Sequence, residues 1–237
     1  LTQPLPFTPF KDFTGRSINE INLYSTEMSS ALCSIDRVSA SANMNNRLSE
    51  AIVEAYKSTN GAPISFELML KCYQSRMKDA NNDDSISSVL KQLVNAHIFE
   101  SEDKVSLIDD SYIIKMDGYP KDGPIAKAIV YFLMSKLNNI YELLDKQAVN
   151  DEVVQIRHFS IIDEAHYMLD FDNRPLRNLI AVGRNKGLSI ILATQNMSSF
   201  KSKGFDFYAN AQYPLIMKQQ TIDDKVIKDL FGVSGQE

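Results

Sequence analysis

Two short apolar segments of this sequence are each followed by polar side chains that could do chemistry. Residues 159–162 are followed by Asp163 and Glu164, and residues 188–193 lead to Gln195. Strands that are buried on both faces of a parallel sheet read as continuous apolar runs, and residues at the carboxyl ends of such strands project into the crevice where ligands bind. We therefore expect Asp163, Glu164 and Gln195 to lie side by side at one edge of a parallel sheet.

The two adjacent carboxylates are typical of a site that hydrolyses a nucleoside triphosphate. Asp163 could hold a magnesium ion through its water shell, because Mg²⁺ gives up its waters reluctantly. Glu164 could polarise the water that attacks the γ-phosphate. The alternative is an acidic helix start, since Asp and Glu favour that position. The apolar run before the pair and the second strand, which ends at Gln195, favour the phosphate site.

Gln195 and Arg184 are further candidates for the same chemistry. The Gln195 amide could hydrogen-bond the γ-phosphate or the attacking water, or it could simply satisfy loop backbone groups. Arg184 lies near the end of the helix before Leu188, where the helix dipole favours a cation, so a solvated surface arginine is one interpretation. The other is an arginine finger that reaches the active site of a neighbouring subunit.

Three other polar side chains near these segments have weaker interpretations. His166 has no His-x-x-x-His partner, so we do not expect a zinc site. Lys201 and Lys203, in the loop after Gln195, could contact nucleic-acid phosphates. The alternative for both lysines is a solvated loop.

The composition limits the class of protein. The chain has 237 residues, 44% of them hydrophobic, which is enough for a substantial core. A net charge of -5 and a pI near 5.3 exclude a domain that coats nucleic acid along its whole surface, and leave open a basic channel that forms on oligomerisation. With two cysteines and no apolar run of about 18 residues, we expect a cytoplasmic protein without a membrane partner.

The first half of the chain predicts helices. Prolines at positions 4, 6 and 9 make residues 1–16 an extended segment, whose aromatic side chains should pack on a core. A long helix is predicted within residues 36–56 and is broken by the turn at 60–63. Two further helices are predicted, one that starts at Pro63 and one capped by Asp84 or Ser85. We therefore expect residues 38–100 to form an all-helical insertion.

The second half predicts an α/β arrangement. Strands are predicted at 104–108, at 112–116, before Asp163, at 188–193 and at 214–218. Helices are predicted at 124–146, at 175–186 and from 221 to 231. The long helix between two strands makes a βαβ crossover, so the sheet should be parallel.

Several of these segments resemble motifs of one known protein family. Residues 161–166 read Ile-Ile-Asp-Glu-Ala-His and resemble the Walker B strand of the HerA/FtsK superfamily of DNA-pumping ATPases. Residues 182–195 are similar to the block that carries the arginine finger and the strand-end glutamine of that family. Residues 210–233 resemble its final strand and helix, and residues 112–144 match more loosely. The helical insertion resembles that of conjugative coupling proteins and HerA-type motors.

The resemblance implies a RecA-like parallel sheet flanked by helices, with the all-helical subdomain inserted. The implied domains are 1–37, 38–100 and 101–237. ATP and Mg²⁺ would be the cofactors, with Asp163 holding the ion through water, Gln195 binding nucleotide, and Glu164, Arg184 and Gln195 acting in catalysis. The implied activity is ATP-driven translocation of DNA by a hexameric ring in a bacterial or archaeal cytoplasm. Phosphorothioation-dependent restriction, with a nuclease partner, is the pathway that the resemblance favours.

One element of that family's pattern is missing from the sequence. There is no Gly-x4-Gly-Lys-Ser/Thr phosphate loop, and the segment 13–17 lacks its first glycine and its lysine. In the family this loop precedes the region present here, so we expect a C-terminal part of a longer motor that is inactive alone. A DEAH-type helicase is disfavoured, because too few residues follow Gln195 for a second RecA-like domain. A binding or assembly module that keeps the fold without turnover is the other alternative.

Overall fold

The computed structural model describes residues 4–35, 40–79, 83–116, 118–119, 123–150, 153–169, 171–195, 201–202, 205–211, 213–217 and 228. The chain divides into two compact units. The first comprises Leu1–Asp145 with Phe171–Leu176, and the second comprises Lys146–Asp170 with Arg177–Glu237. The division into 1–37, 38–100 and 101–237 stays a prediction.

Five helices form most of the described part of the first unit. They are α1 (Ile18–Ile35), α2 (Ala42–Ser58), α3 (Phe66–Gln74), α4 (Ser85–Ala96) and α5 (Pro124–Leu143). The starts of the last four follow the expected rules. Ser41, Ser65 and Asp84 each accept a hydrogen bond from a backbone N–H of the first turn, and Gly123 precedes a proline at the first helical position. Local sequence signals thus determine where these helices begin. The predicted start of α3 at Pro63 is wrong, because the Ser65 side chain caps the helix and α3 begins at Phe66.

The N-terminal segment packs its aromatic side chains into this unit, as the sequence predicts. Phe7, Phe10 and Phe13 are all buried although they precede the first helix. Phe10 lies 4.9 Å from Phe66 and 5.7 Å from Phe132, measured between ring centroids, in edge-to-face arrangements. Such pairs add to the stabilisation that comes from burial alone. The extended segment is therefore part of the core.

The predicted break after α2 is confirmed, and a glycine makes it possible. Gly61 has a φ of +88°, and a Cβ atom there would lie 2.6 Å from the carbonyl oxygen of Phe13. The Phe13 N–H donates a hydrogen bond to the Gly61 carbonyl at 2.7 Å. Any side chain at this position would both strain the backbone and push the N-terminal segment away.

The second unit is built from short strands and helices. Its strands are β1 (Val149–Asn150), β2 (Val153–Val154), β3 (His158–Ile162), β4 (Leu188–Leu192), β5 (Lys201–Ser202) and β6 (Phe205–Asp206). Its helices are α6 (His166–Leu169) and α8 (Phe207–Asn210), and α7 (Arg174–Val182) begins in the segment assigned to the first unit. β1–β2 and β5–β6 are antiparallel pairs, and β3–β4 is a parallel pair.

The parallel pair is held in register by the turn before β4. His158 lies opposite Leu188 and Ile162 opposite Leu192. A 3-10 turn, Gly183–Lys186, ends at Gly187, whose φ is +82°. The Gly187 carbonyl accepts hydrogen bonds from the N–H groups of residues 157 and 158, at 2.7 and 3.1 Å. Gly187 thus ends the helical turn, as predicted, and aligns β4 beside β3.

The two faces of this parallel pair differ in exposure. Phe159, Ile161 and Ile191 share one face and are 58%, 70% and 45% exposed, whereas Ile162 and Leu188 on the other face are buried. The expectation that both faces are buried is therefore wrong for the described structure. The physical reason is that no element within the described residues packs over the first face, which leaves those side chains in solvent.

Three predicted strands do not form. Residues 104–108 and 112–116 contain turns and irregular backbone, and residues 214–217 are also irregular. Side chains stabilise local turns there, since the Ser106 hydroxyl donates to Asp109 and the Tyr112 hydroxyl donates to Asp110. The predicted crossover from 112–116 through α5 to β3 is consequently wrong. Residue 218 and nearly all of the predicted final helix lie outside the described residues.

None of the helices within the described ranges combines the length and the apolar character needed to cross a membrane.

Candidate active site at the ends of the parallel strands

The chain turns sharply where β3 ends, and backbone hydrogen bonds tie that turn to β4. The Ala193 N–H donates to the Ile162 carbonyl at 2.9 Å, which extends the parallel ladder by one step. The Ala165 N–H then donates back to the Ala193 carbonyl at 2.8 Å. These bonds hold the turn 163–165 against the residues that follow β4.

The two candidate side chains predicted at these strand ends meet directly. The Gln195 amide nitrogen, Nε2, donates a hydrogen bond of 2.6 Å to Glu164 Oε1. Hydrogen bonds to a charged acceptor are shorter and stronger than those between neutral groups. The structure therefore brings Glu164 and Gln195 together as the strand pattern predicts, whereas their roles in catalysis stay predictions.

Glu164 occupies an unusual backbone conformation. Its φ is +51°, in the left-handed region that residues other than glycine rarely adopt. Such a conformation costs on the order of 1–3 kcal/mol and persists only where the surroundings impose it. Here the hydrogen bond from Ala165 to the Ala193 carbonyl and a Tyr167 N–H bond of 3.1 Å to the Glu164 carbonyl impose it. This backbone conformation directs the Glu164 side chain towards Gln195, after the end of β4.

Asp163 lies beside this cluster with an exposed carboxylate. Its Oδ1 accepts a 2.9 Å hydrogen bond from the Glu164 N–H. No described hydrogen bond joins either carboxylate to a backbone N–H of α6, so the alternative of an acidic helix cap has no support here. An exposed carboxylate oxygen is a suitable partner for hydrated Mg²⁺, which proteins hold through one or two carboxylates. The magnesium role of Asp163 stays a prediction.

His166 joins the cluster, and the sequence reasoning missed this contact. Its Nδ1 lies 3.2 Å from Glu164 Oε2 and 3.2 Å from the Thr194 hydroxyl oxygen. The signal was its position two residues after Glu164, but only the left-handed turn brings the two side chains together. Over the described ranges, no group of three or more His, Cys, Asp or Glu side chains forms a metal site.

Arg184 is not brought to this cluster. It lies exposed in the 3-10 turn before β4, whereas Glu164 and Gln195 follow the other ends of β3 and β4. A five-residue strand is roughly 16 Å long, which exceeds the reach of an arginine side chain. Within one chain, Arg184 therefore cannot contact a phosphate held at Glu164.

The two candidate lysines give no geometry for a nucleic-acid site. Lys201 is in β5, opposite Asp206, and only its backbone is described. Lys203 lies outside the described residues. Contact of these lysines with DNA stays a prediction.

Comparisons with known proteins identify the fold. No protein-family model matches the chain, and no curated protein matches it significantly. The structure of VirB4 of Thermoanaerobacter pseudethanolicus is similar, with a TM-score of 0.67 and 18% sequence identity. The match covers 98% of this chain and 66% of that one, so this chain spans less than two thirds of its structural neighbour. The comparison confirms the predicted α/β class, and the chain shares its fold with VirB4.

Proposed function

We propose that this chain carries the hydrolytic half of an ATPase motor and works in a longer protein that supplies a phosphate-binding loop. The observation that carries the proposal is the 2.6 Å hydrogen bond that holds the Glu164 carboxylate to Gln195 at the ends of two parallel strands. Ligands in open α/β sheets bind at this edge. The similarity to VirB4 supports a fold suited to the same chemistry.

The roles of the site residues follow from their chemistry. Asp163 would hold Mg²⁺ through water, and the ion would neutralise charge on the β- and γ-phosphates. Glu164 would orient the attacking water and take its proton as the oxygen bonds to the γ-phosphorus and ADP leaves. The Gln195 amide, which donates to Glu164, would exchange that contact for the attacking water or the γ-phosphate.

Arg184 would act between subunits. Because it is exposed and lies at the opposite ends of the strands from Glu164, it could reach only the site of a neighbouring chain. An arginine finger supplied in this way neutralises charge in the transition state. We propose a ring of such subunits, a hexamer by the resemblance of residues 182–195.

The mechanical role is proposed as ATP-driven translocation of DNA. Its support is the resemblance of residues 161–166 and 182–195 to the HerA/FtsK superfamily, with Lys201 and Lys203 as candidate phosphate contacts. The same resemblance favours DNA processing or phosphorothioation-dependent restriction, as in DptH, with a nuclease partner in the cytoplasm. These finer assignments extend beyond the fold that the chain shares with VirB4.

A Glu164→Gln substitution in the longer protein tests the ATPase proposal. Glutamine keeps the shape but cannot take a proton, so single-turnover ATP hydrolysis should slow at least about a hundredfold while nucleotide still binds. Glu67→Gln, on the exposed first turn of α3, is the matched control and should hydrolyse at the wild-type rate. Hydrolysis by Glu164→Gln at near the wild-type rate would overturn the proposal.

The second candidate function is a binding or assembly module that keeps the fold without turnover. Two observations favour it: the sequence lacks a Gly-x4-Gly-Lys-Ser/Thr loop, and the face formed by Phe159, Ile161 and Ile191 is exposed. An exposed apolar patch is typical of an interaction surface. The sequence upstream of Leu1 discriminates, because a phosphate loop there supports the motor and its absence supports the module.

A further inference from the structure

We propose that His166 is a positioning residue that fixes the second carboxylate oxygen of Glu164, with Thr194 behind it. This inference rests on the proposed function of Glu164 and adds a residue that the sequence motif alone does not assign. It follows from the placement of a single ring nitrogen between the carboxylate and the residue that precedes Gln195.

The geometry gives each Glu164 oxygen its own neighbour. Gln195 donates to Oε1, and His166 Nδ1 lies 3.2 Å from Oε2. Glu164 Oε2 is buried and accepts no well-directed hydrogen bond from the described residues, so the nearby imidazole is the donor in range. Buried carboxylate oxygens that lack a donor are costly, which favours a hydrogen bond from the nearby imidazole.

The chemistry of the neighbours selects the form of the imidazole. A carboxylate can only accept a hydrogen bond, so the contact with Glu164 is attractive when Nδ1 carries a proton. The Thr194 hydroxyl, 3.2 Å from the same nitrogen, can accept a share of that hydrogen bond. The partner of one ring nitrogen sets the tautomer of a neutral histidine. The site therefore favours the Nδ1–H form.

This contact matters because the proposed function gives the Gln195 amide a second hydrogen-bond partner besides Glu164. If the Gln195 amide moves to the γ-phosphate or to the attacking water, Glu164 Oε1 loses its donor. His166 would keep the carboxylate aimed through Oε2 during that exchange. The left-handed backbone at Glu164 makes such support necessary, since no regular element directs the side chain. Misplacement of a reacting group by about 1 Å can cost about a hundredfold in rate.

A purely structural role for the ring is the alternative to be separated. The imidazole also packs on Tyr167, with ring centroids 4.1 Å apart. Phenylalanine at 166 keeps a ring for this packing and removes the nitrogen. Asparagine removes the ring and places an amide N–H near the position of Nδ1. The two variants therefore separate packing from hydrogen bonding.

The first experiment measures steady-state ATP hydrolysis by the longer protein. His166→Phe should lower kcat about tenfold and leave the KM for ATP within about twofold. The reason is that the Glu164 carboxylate loses its orientation while the contacts that bind ATP are unchanged. His166→Asn should recover most of kcat. His97→Asn is the matched control, because His97 adopts the left-handed conformation that asparagine tolerates. Wild-type kcat in His166→Phe, or equal losses in both variants, overturns the proposal.

The second experiment tests the contact itself, without hydrolysis. The chain has three histidines, so ¹⁵N-histidine labelling gives three imidazole spin systems, and His166→Asn assigns the one of interest. At about pH 8 we expect the Nδ1–H tautomer at His166 and its loss in Glu164→Ala. An Nε2–H tautomer in both proteins overturns the proposal. If Glu164→Gln hydrolyses normally while this contact is seen, the proposed function fails and the contact stands.

Discussion

The two units of this chain differ in where their apolar side chains lie. In the first unit, Tyr56, Tyr73 and Phe132 are fully buried among helices. In the second unit, Phe159 and Ile161 on β3 are exposed. Burial of an aromatic side chain contributes several kcal/mol to folding, whereas an exposed one contributes little. Among the described residues, most of the buried apolar side chains that stabilise the chain lie in the helical unit.

The chemistry-bearing residues show the opposite distribution. Asp163, Glu164, His166 and Gln195 all belong to the second unit, where a strained turn and a five-residue parallel pair hold them. Local strain at a functional site persists because neighbouring hydrogen bonds impose it. The residues that stabilise this chain and the residues that could act on a ligand therefore lie in different units.

The largest expected effect is the loss of ATP hydrolysis when Arg184 in the second unit is replaced. Arg184→Ala in the longer protein should lower hydrolysis about a thousandfold, the scale of a lost arginine finger, without lowering stability. Mixing it with Glu164→Gln protein should restore measurable hydrolysis, because some interfaces then carry both intact groups. Steady-state phosphate release from the mixture is the measurement.

Two results would count against the role of Arg184 in trans. The first is no recovery of hydrolysis in oligomers shown to contain both variants, which indicates a role within one chain or none. The second is an equal loss in Arg16→Ala, the control at another exposed arginine in the helical unit.

The next effect concerns stability and compares one phenylalanine from each unit. Phe132→Ala should lower the free energy of unfolding of the 237-residue chain by about 3–5 kcal/mol, because it opens a cavity in the aromatic core. Phe159→Ala should change it by less than about 0.5 kcal/mol, since that ring is exposed. Urea unfolding followed by circular dichroism measures both. Equal losses of unfolding free energy in the two variants would contradict the difference in burial between the two units.

Nucleotide binding by the chain alone tests whether the second unit carries a complete site. Backbone amides and the lysine of a glycine-rich loop supply most phosphate affinity in such sites, and this sequence lacks that loop. Calorimetric titration with Mg²⁺ and a non-hydrolysable ATP analogue should show a Kd no tighter than about 1 mM, about 4 kcal/mol. A micromolar Kd would mean that another segment, such as residues 4–17, binds phosphate.

The smallest effect is a pH dependence of stability in the helical unit. Burial raises the pKa of Glu27 above its ordinary value of 4.5, against the opposing charge of Arg174, while Glu142 and Asp172 raise it further and Lys11 lowers it. The folded chain thus holds this proton more tightly than the unfolded chain. Its stabilising contribution is full below about pH 4 and is lost as the pH rises through the folded pKa.

Glu27→Gln should consequently be more stable than wild type at pH 7, with the difference vanishing near pH 4. Thermal unfolding across this pH range measures it. Glu20→Gln on the same helix is the control of opposite sign, because a hydrogen bond from the Ser17 backbone lowers the pKa of Glu20. A Glu27→Gln variant that is less stable than wild type at every pH would contradict the prediction.

Elements that depend on neighbours along the chain could be predicted from the sequence. The cap at Asp84, the turn at Gly61 and the start of α5 at Pro124 all follow from local rules. The start of α3 was predicted at Pro63, two residues before the observed cap at Ser65. The parallel pair and the meeting of Glu164 with Gln195 were also predictable, because two apolar strands ending in polar residues share one sheet edge. The physical reason is that helix caps, glycine turns and parallel register are each specified by short segments.

Contacts between distant segments settle which apolar runs become strands and which side chains join the site. Residues 104–108 and 112–116 have strand-like composition, but a strand forms only where a partner supplies its hydrogen bonds, and local side-chain contacts hold turns there instead. The contact of His166 with Glu164 and Thr194 depends on the left-handed backbone conformation of Glu164. It also depends on the hydrogen bond from the Ala165 N–H to the Ala193 carbonyl. Neither pairing nor backbone strain is visible in a run of residue types, because both arise from contacts between segments that are distant in the sequence.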